Sequence, residues 1–569
     1  MTDGPAPAPS TRPWRLAVLV VASLAFLGIG LLQASRDAPT VDEGVDVSSG
    51  VTSLVRHDLR LVPEHPALPK AVAALPALLA QPVVPDTAAY REGDWFDYSD
   101  DFIAANARAG TLRPMLVWAR SVALLESIAC AALIALLAKR AFGADGGLLA
   151  ALAWLTTPYV VGLSHFAMID VAFTLAVLGL ALLLLRWRES PTLGRAAVLG
   201  LGLGGALASR HTGLVLLLVV VGVIAWTLRA DVRAAASQVV VAGLVSVVVV
   251  WAVYRGLSPS GPPPSVAANF EGIIGAGSDG SAATRLATAL PLPLEWRAGF
   301  AYLDLTSTAR PASLFGRSWD GGRWWYFPAS AALKLPLTLV LAVVAGWVVA
   351  VRDRQVDRRR LAQAVALPAV ALWLLLVGQP LDLGLRLAMP VVALALVGLG
   401  ALARPARRHR PVAMAVGVLL LVQVAASAVA APHSLAWTPV PWTPAYRWVS
   451  DSNLDAGQAL YEVRDWARAH DRPYVALDAT RGLDVEGGSR SLDDVRPATV
   501  RGWVAVGVTP LMQTRRDDLA WLRGYCPVGT LGGGSVLVYR FTAAPDPAPG
   551  PERPVPACIG ARASTRGDR

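Results

Sequence analysis

Lysine is nearly missing from this chain: three stand beside forty-eight arginines, and all charged residues together make up only 16% of its 569 positions. Cysteine and histidine are sparse as well, at three and seven, and no Cys or His spacing here suggests a zinc site. A glycine-rich phosphate cradle, a serine nucleophile elbow and an internal repeat are also absent, which sets aside nucleotide-hydrolysing, serine-hydrolase and solenoid readings. What fills the space is apolar, with 54% hydrophobic residues and a mean hydropathy of +0.48. The net charge of +10 sits in short clusters between apolar runs. That pattern signals membrane topology and excludes nucleic acid as the partner.

The apolar runs predict a polytopic membrane protein of about eleven spans. The first covers roughly residues 14–32 and is retained, since no small-residue cleavage site follows it. The fifth and sixth, roughly 196–209 and 212–228, are short and hinge on Arg210 and His211. The eighth is expected over 327–350. Cationic clusters such as RDRQVDRRR (352–360) and RPARRHR (404–410) recur in alternate connections, which places those connections in the cytoplasm. The N-terminus is then inside, the C-terminus outside, and the protein a multi-pass component of the plasma (inner) membrane. Three long segments fall on the outer face, and the stretch 71–80, too short to cross, is expected to lie there as an interfacial helix. With only short cytoplasmic loops the chain has nowhere to fold a nucleotide site, so an activated donor would have to arrive through the lipid.

Candidate chemistry gathers on that outer side. Asp42 and Glu43 follow the first span by about ten residues, and Glu64, His65 and Lys70 lie in the proline-braced EHPALPK. Lys334 falls inside an apolar run, roughly 10 Å below its outer end at 1.5 Å per residue. An ionisable group there is a functional-site hypothesis, with a lysine that snorkels to the headgroups as the alternative. Arg210, His211 and Arg386 also face outward against the charge bias, either as interfacial anchors or as contacts for an anionic lipid phosphate. Asp42 and Asp170 each read either as a helix cap or as a reactive carboxylate.

Five motifs occur in a telling order: DEG at 42–44, EHPALPK at 64–70, the turn SHFAMID ending at Asp170, ASRHTG at 208–213 and WWYFPASAALKLP at 324–336. In this order they resemble bacterial polyprenyl-phosphate-sugar glycosyltransferases similar to the protein O-mannosyltransferases, glycosyltransferase family 39 of the GT-C fold. SDSNLDAGQAL at 450–460 and the terminal block 520–541 look like that family's extracytoplasmic C-terminal segment. Three positions depart from its pattern: Ala67 replaces a second proline, Ala456 a tryptophan, and LGLRLAMP lacks a tyrosine after Arg386.

The resemblance implies an all-α GT-C transmembrane catalytic domain over 1–436; over 437–542 a helical stretch at 455–470 with strand-like RPYVALDA and GSVLVYRF reads as a small extracytoplasmic α/β domain, and the Pro-rich 543–569 as a disordered tail that cannot bury a core. The resemblance also implies an inverting transfer of a mannose-like hexose or pentose from a polyprenyl-phosphate donor to an extracytoplasmic protein, glycan or lipid hydroxyl. In that scheme Asp42 is the general base, with Glu43 and Asp170 beside it. Lys70, Arg210, His211, Lys334 and Arg386 hold the donor phosphate, Glu64 and His65 meet acceptor or sugar, and neither cofactor nor metal is required. A transporter or flippase for a lipid-linked anion is the alternative, and it would share the cations without needing Asp42 as a base. Cys526 and Cys558 both face the oxidising side, where a disulfide between them is open; Cys130 reads as a reduced packing residue.

Overall fold

The computed structural model describes residues 13–277, 280–308, 310–480, 483, 489–493, 495–512, 516–548 and 555. Most of the 543–569 tail, Cys558 included, lies outside the described residues; Cys526 is disulfide-bonded and Cys130 is free and buried.

The protein is a multi-pass membrane protein. Among the described residues seven helices are long and apolar enough to cross a bilayer: Pro13–Arg36, Leu112–Phe142, Ile169–Glu189, Val232–Leu257, Arg358–Gly378, Leu385–Arg408 and Arg410–Ala430. Two bent helix pairs raise the number to nine if each pair is one span. The expected eleven included spans at roughly 196–209 and 212–228; the helices found there, Leu193–Ser209 and Gly213–Thr227, have 17 and 15 residues, fewer than the ~20 a crossing takes.

The second bent pair corrects the reading of the eighth span. Tyr326–Lys334 and Leu337–Arg352 meet at 113°, so no straight helix runs over 327–350. Pro336 is the cause: it cannot donate to the ladder, and it disfavours the helical region at Leu335, which is extended at φ −99°, ψ 137°. The other pair, Ala144–Leu155 and Pro158–Ser164, breaks by 63° at Thr157–Pro158 for the same reason.

Between the first and second spans lies the scaffold of the site. The helix Val41–Arg56 starts at a capping box: Thr40 Oγ1 accepts from the Glu43 N–H at 3.1 Å, and the Glu43 carboxylate accepts from the Thr40 N–H at 3.3 Å. Such a box stabilises a helix start by about 1 kcal/mol and fixes where the first turn begins. The helix ends at His57, left-handed at φ 54°. It packs backbone to side on the helix Ala67–Ala77, because a Cβ on Gly50 would overlap the Lys70 carbonyl. That second helix runs on as a 3-10 turn to Ala80, a short apolar element where the interfacial helix was expected.

Above the helices sit two sheets. A hairpin pairs β1 (Pro311–Leu314) with β2 (Arg317–Asp320). A five-stranded sheet of β3 (Tyr474–Ala476), β4 (Arg490–Ser491), β5 (Gly502–Gly507), β6 (Gly529–Leu531) and β7 (Val536–Phe541) has the order β4-β3-β5-β7-β6. β3 runs parallel to β4 and β5, while β7 runs antiparallel to β5 and β6. With the helix Leu460–Arg468 this forms the small C-terminal α/β unit.

Candidate active site

One cavity of about 240 Å³ lies where the spans meet the C-terminal unit. Its floor comes from the first turn of Val41–Arg56, which carries Asp42, and from the loop carrying Glu64 and His65. Asp170, the adjacent Arg210 and His211, and Arg386 join them from three separate stretches of chain. One wall is apolar, with Phe173, Leu372, Leu376, Leu387 and Pro390 contributed by three spanning helices. The opposite wall is acidic, with Asp451, Asp455 and Asp478 from the C-terminal side.

Asp42 is not the helix cap, since Thr40 holds that place. As the second residue of the helix, it presents its carboxylate to the cavity, with a side chain 36% exposed. Arg386 ion-pairs with it and also stands 4.0 Å from Asp170, whose other oxygen is held by Arg210. Arg386 is itself steadied by donating from Nε to the Leu383 carbonyl at 3.2 Å. Burial acts to raise the Asp42 carboxyl, but Arg386, with His65 and Arg310, outweighs it and leaves the group below its ordinary value. Asp42 is therefore a carboxylate across the neutral range, the state in which it can accept a proton.

His65 hydrogen-bonds through Nδ1 to Asp46 Oδ1 at 2.7 Å. Burial opposes its charge, yet Asp46, Glu64 and Asp42 together raise it above 6.5. Glu64 is ion-paired with Arg310. The loop is wedged in place because a Cβ on Gly299 would overlap the Pro63 carbonyl, so only glycine lets the helix Leu294–Ser307 close on it. His211, edge-on to Trp296 at 4.7 Å, is pushed by burial down to about 3 and stays neutral. Its ring lines the cavity without bringing a charge to it. On the acidic wall, burial pushes Asp451 up to about 6 and Asp455 up to about 7; Asp455 also accepts from the backbone of Thr509 and Gly457.

Three candidates from the sequence do not line this cavity. Glu43 is fully buried behind it: besides the Thr40 N–H, its carboxylate accepts from Arg120 Nε on one oxygen at 2.7 Å, from Arg120 Nη2 on the other at 2.6 Å and from the Ala167 N–H at 2.9 Å. Lys70 donates from Nζ to the Val62 carbonyl at 2.8 Å and faces a separate hollow. Lys334 ends the helix before the Pro336 bend and donates to the carbonyls of Leu435 and Trp437, both at 2.6 Å. The cavity thus brings together Asp42, Asp170, Arg210 and Arg386, while the two lysines expected beside them lie elsewhere. Their ammonium groups are taken up by backbone carbonyls instead. Sequence reading missed Arg310, Asp46 and the acids of the C-terminal wall; nothing local marks them. Among the described residues no group of three or more His, Cys, Asp or Glu is placed to hold a metal ion.

Residues 116–255 match the family described as Dolichyl-phosphate-mannose-protein mannosyltransferase, a stretch that takes in Arg120, Asp170, Arg210 and His211. No curated protein matches the sequence. Among solved structures the fold is similar to ArnT from Cupriavidus metallidurans bound to undecaprenyl phosphate, at 15% identity and a TM-score of 0.44 over 77% of this chain and 68% of that one. It is also similar to the apo oligosaccharyltransferase of Archaeoglobus fulgidus, at 12% identity and a TM-score of 0.49 over 92% and 74%. The family match meets the resemblance read from motif order and supports a membrane glycosyltransferase.

Proposed function

We propose that this protein is an inverting glycosyltransferase that moves a sugar from a polyprenyl-phosphate donor to a hydroxyl on the outer face of the membrane, with Asp42 as the general base. The observation that carries this reading is a half-exposed carboxylate, Asp42, paired with Arg386 beside a second pair, Asp170 with Arg210, in a cavity whose apolar wall belongs to spanning helices. A lipid-linked phosphate needs both features: cations for its head and an apolar approach for its tail.

In the reaction the acceptor oxygen attacks the anomeric carbon while the bond from that carbon to the phosphate oxygen breaks. The bonding electrons leave with the phosphate, and the acceptor proton passes to the Asp42 carboxylate. Charge grows on the departing phosphate, so arginines fixed beforehand stabilise the transition state more than the ground state. Arg386 links the two ends of this event, since it touches the base and stands beside Asp170, which holds Arg210. A positioned base contributes roughly 10² to 10⁴ in rate. No step is routed through a metal. The sugar is read as a mannose-like hexose or pentose, and the acceptor as an extracytoplasmic protein, glycan or lipid.

The test is incubation of the purified protein with radiolabelled polyprenyl-phosphate sugars and candidate acceptors. Release of free polyprenyl phosphate coupled to label in the acceptor supports the transferase. Donor binding without any cleavage under all acceptors contradicts it and favours a carrier of lipid-linked anions.

A further inference from the structure

A second cavity, of about 390 Å³, lies apart from the catalytic one, between the ends of three spans and the helix Leu460–Arg468. Arg36 is the last residue of the first span, Arg113 the second residue of Leu112–Phe142, and His433 follows Ala430 by three positions. All three line the cavity, Arg36 and Arg113 at the ends of membrane-crossing helices and His433 just beyond a third, the level at which cations meet phospholipid phosphates. Arg36 and Arg113 are both exposed, and neither is ion-paired among the described residues. Arg113 lays its guanidinium over the Tyr461 ring at 4.5 Å, which fixes its plane and leaves its N–H edge free for an acceptor. The helix Leu460–Arg468 brings acids to the same cavity: Glu462, 3.8 Å from His433, and Asp465, which also pairs with Arg468 at 3.3 Å.

We infer that this cavity seats the headgroup of an amine-bearing membrane phospholipid of the ethanolamine type. The phosphodiester lies against Arg36 and Arg113, and the ammonium donates to Glu462 and Asp465. A choline headgroup has no N–H to give those carboxylates, and a glycerol headgroup has no cation. Asp37 shares the cavity wall while pairing with His165 at 2.9 Å and giving its carbonyl to Arg120 at 2.8 Å. The bound lipid therefore braces the junction from which the Asp42 helix departs. This site is independent of the transferase reading.

Native mass spectrometry of the full-length protein decides it, with phosphatidylethanolamine, phosphatidylcholine or phosphatidylglycerol added at equal concentration. The wild type should retain one phosphatidylethanolamine about tenfold more than either other lipid, a difference of about 1.4 kcal/mol. The double variant Arg36→Gln/Arg113→Gln should lose that retention at an unchanged melting temperature, because both side chains are exposed. Glu462→Gln should reduce the preference over phosphatidylcholine while leaving phosphate-dependent retention. Equal retention of all three lipids, or retention unchanged in the double variant, overturns the inference. So does stabilisation by inorganic phosphate alone with no lipid held, which would mark a bare anion site. If the double variant melts early, Glu462→Gln still decides: an unchanged lipid preference overturns the proposal.

Discussion

Asp42 and Glu43 are neighbours in the chain, and each meets an arginine, yet the two pairs are built for opposite ends. Glu43 is fully buried, and Arg120 serves it with two N–H groups while giving its others to the carbonyls of Ala34, Asp37 and Ala38 at 2.6 to 2.9 Å. Every donor of that guanidinium has an acceptor. Arg120 thus ties the end of the first span to the start of the Asp42 helix, and Glu43 reaches on to the turn ahead of Asp170 through Ala167. Asp42, one residue earlier, is partly open to the cavity, and its arginine also reaches a second carboxylate. A saturated pair fixes geometry; an open pair shared among acids can be redistributed when a phosphate arrives. Saturation of donors, more than the presence of an ion pair, separates the positioning acid from the one proposed as the base.

Breaking the saturated pair should have the largest effect on stability. Arg120→Ala leaves the Glu43 charge buried and three carbonyls without donors, and we expect a loss of about 3–5 kcal/mol, read as an early melting transition in detergent. A stable, active Arg120→Ala protein would erase the distinction drawn between the two pairs. Next comes Gly299→Ala, where the new methyl meets the Pro63 backbone; overpacking of this kind costs about 1–3 kcal/mol and should displace the Glu64–His65 loop. Lys334→Met tests the corrected role of that lysine. Removing hydrogen bonds from a charged donor to two carbonyls should destabilise by about 1.5–3 kcal/mol, while donor affinity in the folded fraction stays close to wild type. A selective loss of donor binding would return Lys334 to the phosphate site.

The smallest expected effect is a pH dependence. His65 titrates above 6.5 in the folded protein because Asp46 faces it, so its charged form is favoured by folding. That contribution is complete below pH 6.5 and fades as the pH rises through the folded value. Melting temperature should therefore decline on the alkaline side of neutrality in the wild type and less so in Asp46→Asn. Identical pH profiles would remove the His65–Asp46 pair from the account.

These contrasts also show what the sequence could and could not disclose. Long apolar runs are local signals, so the membrane class and the positions of most spans were readable, as was the C-terminal sheet from strand-like RPYVALDA and GSVLVYRF. Asp42, Asp170, Arg210 and Arg386 stand out because charge at the rim of an apolar span is costly wherever it lies. The rarity of lysine drew attention to Lys70 and Lys334, but rarity says nothing about direction, and a proline bend turned Lys334 toward two carbonyls. Arg120 and Arg310 were hidden for the opposite reason: among forty-eight arginines, the two that meet Glu43 and Glu64 are 77 and 246 positions away from them. No local pattern carries such pairings.

The central claim is tested most directly by Asp42→Asn, assayed for sugar transfer and for donor binding in one preparation. The substitution keeps the size of the side chain and an oxygen for Arg386, but it removes the capacity to take up a proton. The account predicts an intact melting temperature, donor affinity near wild type and turnover lower by roughly two orders of magnitude or more. Near wild-type turnover in a well-folded Asp42→Asn protein would contradict it.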